Sequence, residues 1–444
     1  MPLVSAPRRI VALGVALAAL GGIAVIAVGA SIDDAAVVSK TADRLIQPVG
    51  DLAVAYDIGE VDRFVIDGVD TAVRRVGGVA APSRTGSSGM RRIARSGSTV
   101  HAPPPGYLIP ITFVSLPKGA IGGVMGADVS AIVNDHTVVM NQVTAELMAA
   151  QPGDTIELRA ANGSTVMLTI GGIRPYDQLG WAELVMTTEV AERLGTITDT
   201  RVVMWGFSDR AGLDAALADV GVLGRHETRV LHSWDQPDPD DTISTAHTKV
   251  LLGEPWYRIN SDESISMHPD WKVANLTAGR VLLNGTVGIR AQCHLEIVGD
   301  LQAALAEVVS AGLAGAIDVA NTNMYGGCYN PRYSRISGFL SRHAYGMALD
   351  TNTQTNCQGC RPRMNCDVVR IFRRHGFAWG GNFTRPDGMH FEWVGQPRDQ
   401  IQYPSTYCPN LVNPLVESVS SATIGRGVLT SGDSAAVQDH PDGA

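Results

Sequence analysis

No cysteine occurs before Cys293 in this chain of 444 residues; it and the other five all lie in the last third. That excludes a disulfide framework from the N-terminal two-thirds and sets the last third apart. Lysine is scarce as well. Of 35 basic residues only four are Lys, a bias that marks high-GC coding and carries no chemistry. Charged residues make up 18%, below the usual ~25%, and the net charge is −9. A dedicated nucleic-acid binder is usually basic, so the balance argues against one. No repeat recurs at a fixed period. With 45% hydrophobic residues the chain is neither wholly disordered nor a coiled coil. At roughly 150 residues per domain the length suggests two or three domains.

What is present begins with an uncharged run, Ile10 to Ser31 (IVALGVALAALGGIAVIAVGAS), after Arg8 and Arg9. It reaches the ~20 residues that a membrane span needs. The two positive charges favour an N-terminus kept in the cytoplasm, with the rest outside. Residues 1–31 are therefore read as a transmembrane anchor, or as a signal peptide cleaved near Ala27-Val28-Gly29-Ala30. No Cys follows the run, so a lipidated Cys is excluded. The expected localisation is the cell membrane with an extracytoplasmic catalytic domain, or secretion if the segment is cleaved. Outside the cytoplasm thiols pair. Cys293, Cys328, Cys357, Cys360, Cys366 and Cys408 then form three disulfides of undetermined connectivity; Cys357-Gln-Gly-Cys360 also has the spacing of a redox or metal pair.

Residues 32–106 read as a membrane-proximal segment and linker. Asp33 to Ala55 looks helical and Val65-Ile66 strand-like, while residues 77–106, rich in Gly, Ser, Pro and Arg, suggest a flexible linker or long exposed loop. Residues 107–240 suggest a small α/β domain. Thr155 to Ala161 and Ser164 to Ile170 alternate like strands around Asn162-Gly163, a pair suited to a type I′ turn. Asn141 to Ala150 and Gly212 to Val220 look helical. No catalytic residue types cluster here, so a module that positions the chain or binds a protein partner is the expectation. The stretch from Gln151 to Ile173 loosely resembles the small extracytoplasmic domains of some bacterial membrane complexes. Pro237 to Asp241 (PDPDD) marks a boundary before a Cys-bearing domain at 245–410, and the Ser-, Gly- and Asp-rich residues 411–444 read as a disordered tail.

The chemistry concentrates in that last domain. Ser341 to Asp350 (SRHAYGMALD) places His343 and Asp350 seven apart. Arg385 to Trp393 (RPDGMHFEW) places Asp387 three before His390 on a strand-like run. Two His and one Asp make a common catalytic zinc set with a position left for water or substrate. A further acidic group can take a proton from that water. Gly346 and Ala348 are small enough to let backbone pass close to such a centre. Taken singly, each residue has a blander reading: a core histidine, a solvated turn aspartate, or a Pro-Asp-Gly turn for Asp387.

Together the motifs resemble the zinc D-alanyl-D-alanine carboxypeptidase and L-alanyl-D-glutamate endopeptidase family, over roughly residues 315–395. Ser341, His343, Gly346, Ala348, Asp350, Asp387 and His390 match its pattern S-x-H-x-x-G-x-A-x-D followed by D-x-x-H, and Gly376 to Gly381 is similar to its segment before the last ligand. The resemblance implies Zn2+ on His343, Asp350 and His390, Asp387 as general base and later acid, and an Arg that steadies the carbonyl oxygen. Arg332, in Asn330-Pro331-Arg332, is the first choice and Arg335 the second. Two departures stand out: Thr351-Asn352 replaces the usual apolar residue after the metal Asp, and an inserted loop runs from Thr353 to Asn365. Eight Arg against two acidic residues lie between Pro331 and Arg374, a solvated face or a rim suited to carboxylate-bearing substrates.

The expected fold is α+β: a C-terminal zinc peptidase domain with a small antiparallel sheet and packed helices, preceded by the separate small α/β domain. The expected function is zinc-dependent hydrolysis of peptidoglycan stem peptides, of L-Ala-D-Glu endopeptidase type. A D-alanyl-D-alanine carboxypeptidase is the alternative, and a non-catalytic zinc-binding wall module a further one.

Overall fold

A single long strand organises the first half of the chain. In the computed structural model, which describes residues 50–57, 59–225, 228–283, 288–318, 325–334, 338–401 and 405–410, that strand is β2 (Val79–Arg95), which follows β1 (Leu52–Asp57). After β2 come β3 (Ser98–His101), β4 (Ile109–Leu116), β5 (Thr137–Asn141), β6 (Thr155–Arg159) and β7 (Thr165–Arg174). They lead to β8 (Leu184–Thr187), β9 (Arg201–Trp205) and β10 (Thr228–His232). The start of β2 pairs with β9, giving the order β10-β1-β9-β2. The helices Arg63–Arg75 and Arg210–Asp219 follow β1 and β9, so this half is a split βαβ arrangement. The rest of β2 pairs with β4 on one side and β6 on the other. The order β2-β4-β8-β5-β7-β6 therefore closes on itself as a six-stranded barrel. Met90, Ile93, Ile111, Phe113, Met140, Ile156 and Leu158 fill it.

Several expectations need correction here. Residues 77–106 are not a linker. Their glycines and serines are small because neighbours press on the strand: a Cβ on Gly86 would lie 2.5 Å from Phe113, and one on Gly89 2.6 Å from Leu108. Position 107 is accordingly no boundary. Val65-Ile66 belongs to the helix Arg63–Arg75, whose Asp62 side chain caps Val65 N at 2.8 Å. Residues 52–55 of the anticipated helix form β1; its earlier part, the apolar run Ile10–Ser31 and the tail 411–444 lie outside the described residues. Among the described residues no helix is long and apolar enough to cross a membrane. The β6–β7 hairpin forms as read, but Asn162 stays at negative φ. Only Gly163 turns left-handed (φ +86°), and the Asn162 side chain accepts from Ser164 N instead.

The second half carries two small hairpins, β11 (Tyr257–Ile259) with β12 (Ile265–Met267) and β13 (Val281–Leu283) with β14 (Ile289–Ala291). They precede β15 (Tyr325–Gly327), β16 (Ala348–Thr351), β17 (Phe377–Trp379) and β18 (His390–Trp393). The last four form one antiparallel sheet in the order β15-β16-β18-β17. The helices Leu295–Ser310 and Cys366–Arg374 pack on it through Leu301, Leu305, Val308, Val368, Val369 and Phe372. The cysteines pair as Cys293–Cys328, Cys357–Cys360 and Cys366–Cys408.

The halves are joined by buried charge. Lys249, from the helix Thr245–Leu252, pairs with Glu183, and both side chains are fully buried. Lys249 Nζ also donates to Pro110 O at 2.9 Å, while Glu183 accepts from Thr112 N and the hydroxyls of Thr112 and Thr144. The PDPDD segment is no free hinge either. The Asp240 carboxylate takes both nitrogens of an Arg373 fork at 2.9 and 2.6 Å, Trp379 N at 3.0 Å and Asn382 Nδ2 at 2.8 Å. Breaking a buried pair leaves an uncompensated charge, which costs about 3–5 kcal/mol. Lys249→Met in the full chain is expected to lower unfolding free energy by that order, read from denaturant midpoints. An unchanged midpoint would dismiss Lys249 as the tie.

Candidate metal centre

Three elements bring the predicted ligands together. Ser341 caps a tight turn, Arg342–Tyr345, by accepting from His343 N at 3.3 Å. Gly346 ends that turn in the left-handed region (φ +71°), where a Cβ would lie 2.8 Å from Leu276 and 3.0 Å from His294 N. Its small size thus serves the turn and this packing, not close passage past a metal as the sequence suggested. The chain then enters β16 and presents Asp350. His390 opens β18 and stands directly opposite Asp350 in the antiparallel register.

The result is a tight donor set. His343 Nε2 lies 3.2 Å from Asp350 Oδ2, and His390 Nδ1 lies 3.1 Å from Asp350 Oδ1. The two rings stand edge to face, with centroids 5.2 Å apart. One donor atom from each of the three residues falls within 4.8 Å of the others. The remaining ring nitrogens are occupied. His343 Nδ1 faces the Cys328 carbonyl at 3.1 Å, and His390 Nε2 faces Glu392 Oε2 at 3.4 Å. Metal-binding imidazoles are commonly held this way. Glu392 in turn faces Arg342 Nε at 3.4 Å, and Arg342 donates to Thr248 Oγ1 at 3.1 Å. The place of Glu392 two residues after His390 on a strand, and so on the same face, was the available signal for this role.

Asp387 is buried as well. Its N–H donates to Gly380 O at 2.8 Å, and Gly380 must be glycine, since a Cβ there would sit 2.7 Å from Asp387 O and 3.1 Å from His390 Cβ. Trp379 is buried and donates its indole N–H to Gly388 O at 2.9 Å. Arg332 is half-buried beside the site; its charge acts on both His343 and Asp387. Arg335 lies outside the described residues.

The electrostatics follow from burial and these neighbours. Burial holds the His343 pKa below the ordinary imidazole value, keeping the ring neutral and able to bind a cation. Asp350 is held far below the carboxylate range: burial opposes ionisation, but the two imidazoles outweigh it. Burial, reinforced by the Asp350 charge, pushes Asp387 up to about 7. His390 is raised to about 9, because Asp350 and Glu392 outweigh its burial. Asp387 Oδ1 has no hydrogen-bond partner among the described residues. The donor set suits zinc: two imidazoles with their outer nitrogens fixed, one carboxylate, and a second carboxylate beside them with a spare lone pair.

A family model described as D-alanyl-D-alanine carboxypeptidase matches residues 335–393. Over that stretch the chain is similar to a peptidase family. The match holds His343, Asp350, Asp387 and His390 and ends before Arg332 is reached on the N-terminal side. It supports a metallopeptidase-like hydrolase at a coarse level and leaves the first half of the chain untouched. No curated protein matches the chain.

Two outcomes are expected. Glu392→Gln should weaken zinc binding by about 10–100-fold, read by chelator competition, if Glu392 fixes His390. Asp350 and Glu392 raise His390 to about 9 against its burial, so a metal held there would compete with a proton: uptake at neutral pH should release about one proton, and affinity should rise with pH until about 9. Calorimetry in buffers of different ionisation enthalpy checks this; no proton release at neutral pH would contradict it.

Proposed function

We propose that this chain is an exported zinc peptidase that hydrolyses a peptide bond in peptidoglycan stem peptides. The observation that carries the reading is the set of buried His343 and His390 with half-buried Asp350, and Asp387 beside it, inside the stretch similar to a peptidase family. His343, Asp350 and His390 would hold the metal. Bound there, zinc supplies Lewis acidity, which polarises a carbonyl and makes water acidic enough to attack near neutral pH.

The protein's own groups do the rest. The unpartnered Asp387 Oδ1 accepts the proton of the attacking water. The same carboxyl then returns that proton to the departing amine, so the base of the first step is the acid of the second. A carboxyl raised to about 7 by burial suits both duties. Arg332 stabilises charge that develops on the carbonyl oxygen. Cys328 O and Glu392 keep the imidazoles from rotating as charge shifts.

The short Asp387-x2-His390 spacing and the Asn330-Pro331-Arg332 element favour cleavage between L-Ala and D-Glu. The description of the matching family favours D-Ala-D-Ala carboxypeptidase action as the second reading. Three disulfides in the catalytic half support folding outside the cytoplasm. The apolar run Ile10–Ser31 supports a membrane anchor, with stem peptides as the substrate partner and a protein partner for residues 107–240.

Zinc-loaded full chain incubated with muropeptides, with products weighed by mass spectrometry, identifies the bond: loss of terminal D-Ala or release of the stem from L-Ala. No cleavage of any stem peptide would sink the enzyme reading. Asp387→Ala should retain zinc yet lose about 10²–10⁴-fold in kcat; retained activity would remove Asp387 from its role.

A further inference from the structure

The base-bearing segment is held from two sides. On one, Asp387 N–H donates to Gly380 O. On the other lies the loop Thr353 to Asn365, which the peptidase chemistry does not use. Gln358 bridges to Asp387 in antiparallel fashion, Gly359 N donates to Pro386 O at 2.6 Å, and Met389 N donates to Asn356 O at 3.2 Å. Gly388 is packed so closely that a Cβ would lie 2.9 Å from Asn356 Oδ1 and 3.1 Å from Pro362 Cβ. The loop thus acts as a short extra strand against residues 386–389.

The loop is anchored at its end by Met364, which is buried in the core, and inside by the buried Asn356, which accepts from Arg363 N at 2.7 Å. From Thr351 to Arg361 the sequence reads TNTQTNCQGCR, with no aliphatic or aromatic side chain, so this stretch gains little hydrophobic energy to offset its ordering entropy. Its one covalent constraint is Cys357–Cys360, closed across three positions of sequence. Closing so small a ring removes conformations at the residues that face Asp387. It also differs from the other disulfides in access. Each of the other two has at least one buried sulfur-bearing residue, Cys293 and Cys328 in one and Cys408 in the other with Cys366 half-buried, whereas Cys357 and Cys360 are both half-exposed beside the exposed Gly359.

We propose that the Cys357–Cys360 loop is a positioning element for Asp387, and that opening its disulfide turns the peptidase site off without removing the metal ligands. The activity part rests on the peptidase reading; the positioning part does not. A dithiol reductant acts in two steps. Its thiolate attacks one sulfur, the S–S bond breaks and a mixed disulfide forms. Its second thiol then displaces the protein thiol. Two electrons and two protons end on Cys357 and Cys360, and the reductant leaves as a disulfide.

The test compares full-length wild type with Cys357→Ser/Cys360→Ser, which keeps the other two disulfides. Hydrogen exchange at Met389 and Gly359 should accelerate by about tenfold or more, while amides of the Arg342–Tyr345 turn keep their protection. On muropeptides, kcat should fall by about tenfold or more, since a displacement of about 1 Å costs on that scale, with KM and zinc content unchanged. Wild type treated briefly with a phosphine, mass-mapped to confirm that only Cys357–Cys360 has opened, should show the same exchange change and recover on reoxidation. Unchanged exchange, or unchanged kcat, overturns the proposal. So does loss of zinc together with activity, since the loop would then be general scaffold. Wild type that cleaves no stem peptide defeats the peptidase reading alone, and the exchange measurement still decides whether the loop positions Asp387.

Discussion

The register between β16 and β18 is the constraint on which the centre depends. Asp350 and His390 meet because they stand opposite each other in a pair only three rungs long, Ala348 with Glu392, Leu349 with Phe391, Asp350 with His390. A slip of one residue would turn every side chain to the other face and pull the ligands apart. Burial enforces the register from behind, since Leu349 and Phe391 share the core with Phe372 and Trp393. On the site face the two imidazoles share one carboxylate, and Glu392 and the Cys328 carbonyl take the remaining ring nitrogens. A hydrophobic layer therefore fixes a polar geometry that would not assemble alone.

Around that pair the rest of the molecule acts as support from several directions. Cys293–Cys328 fixes the strand end that offers the Cys328 carbonyl to His343. Asp240 reaches across from the connecting segment to hold Trp379 and Asn382, which flank the Gly380 carbonyl beneath Asp387. From the first half, Arg229 donates to Phe383 O at 3.1 Å, and Tyr56 meets Thr384 at 3.2 Å. The sheet of the first half thus abuts the segment that leads to Asp387. The half that carries the metal centre is not an appendage on a spacer.

Local chemistry made the site legible in the sequence, and long-range packing hid much of the fold. His343, Asp350, Asp387 and His390 could be read together because their motif spacings are short and each residue type has a restricted set of uses. The helix Cys366–Arg374 likewise rests on a local pattern, with Val368, Val369 and Phe372 buried together. β2 was not legible. Its Thr85-Gly86-Ser87-Ser88-Gly89 stretch has loop composition because Phe113 and Leu108 occupy the space where side chains would be, and those neighbours come from residues far along the chain. Asp240 looked like a solvated boundary for a similar reason: its partner Arg373 lies 133 positions away. The hydrogen bonds of the Trp379 indole and the Glu392 carboxylate were not legible, because sequence order does not show which way either side chain points.

Sharing β2 between the split βαβ sheet and the barrel also has a mechanical consequence. The strand pairs with β9 near its start and with β4 and β6 farther along. Sheet and barrel then cannot slide past one another unless ladders on both sides of β2 break. A load applied to either is carried along β2 as tension in one covalent strand. The first half of the chain is thus built as a single stiff lever whose near edge rests against the Phe383–Thr384 segment.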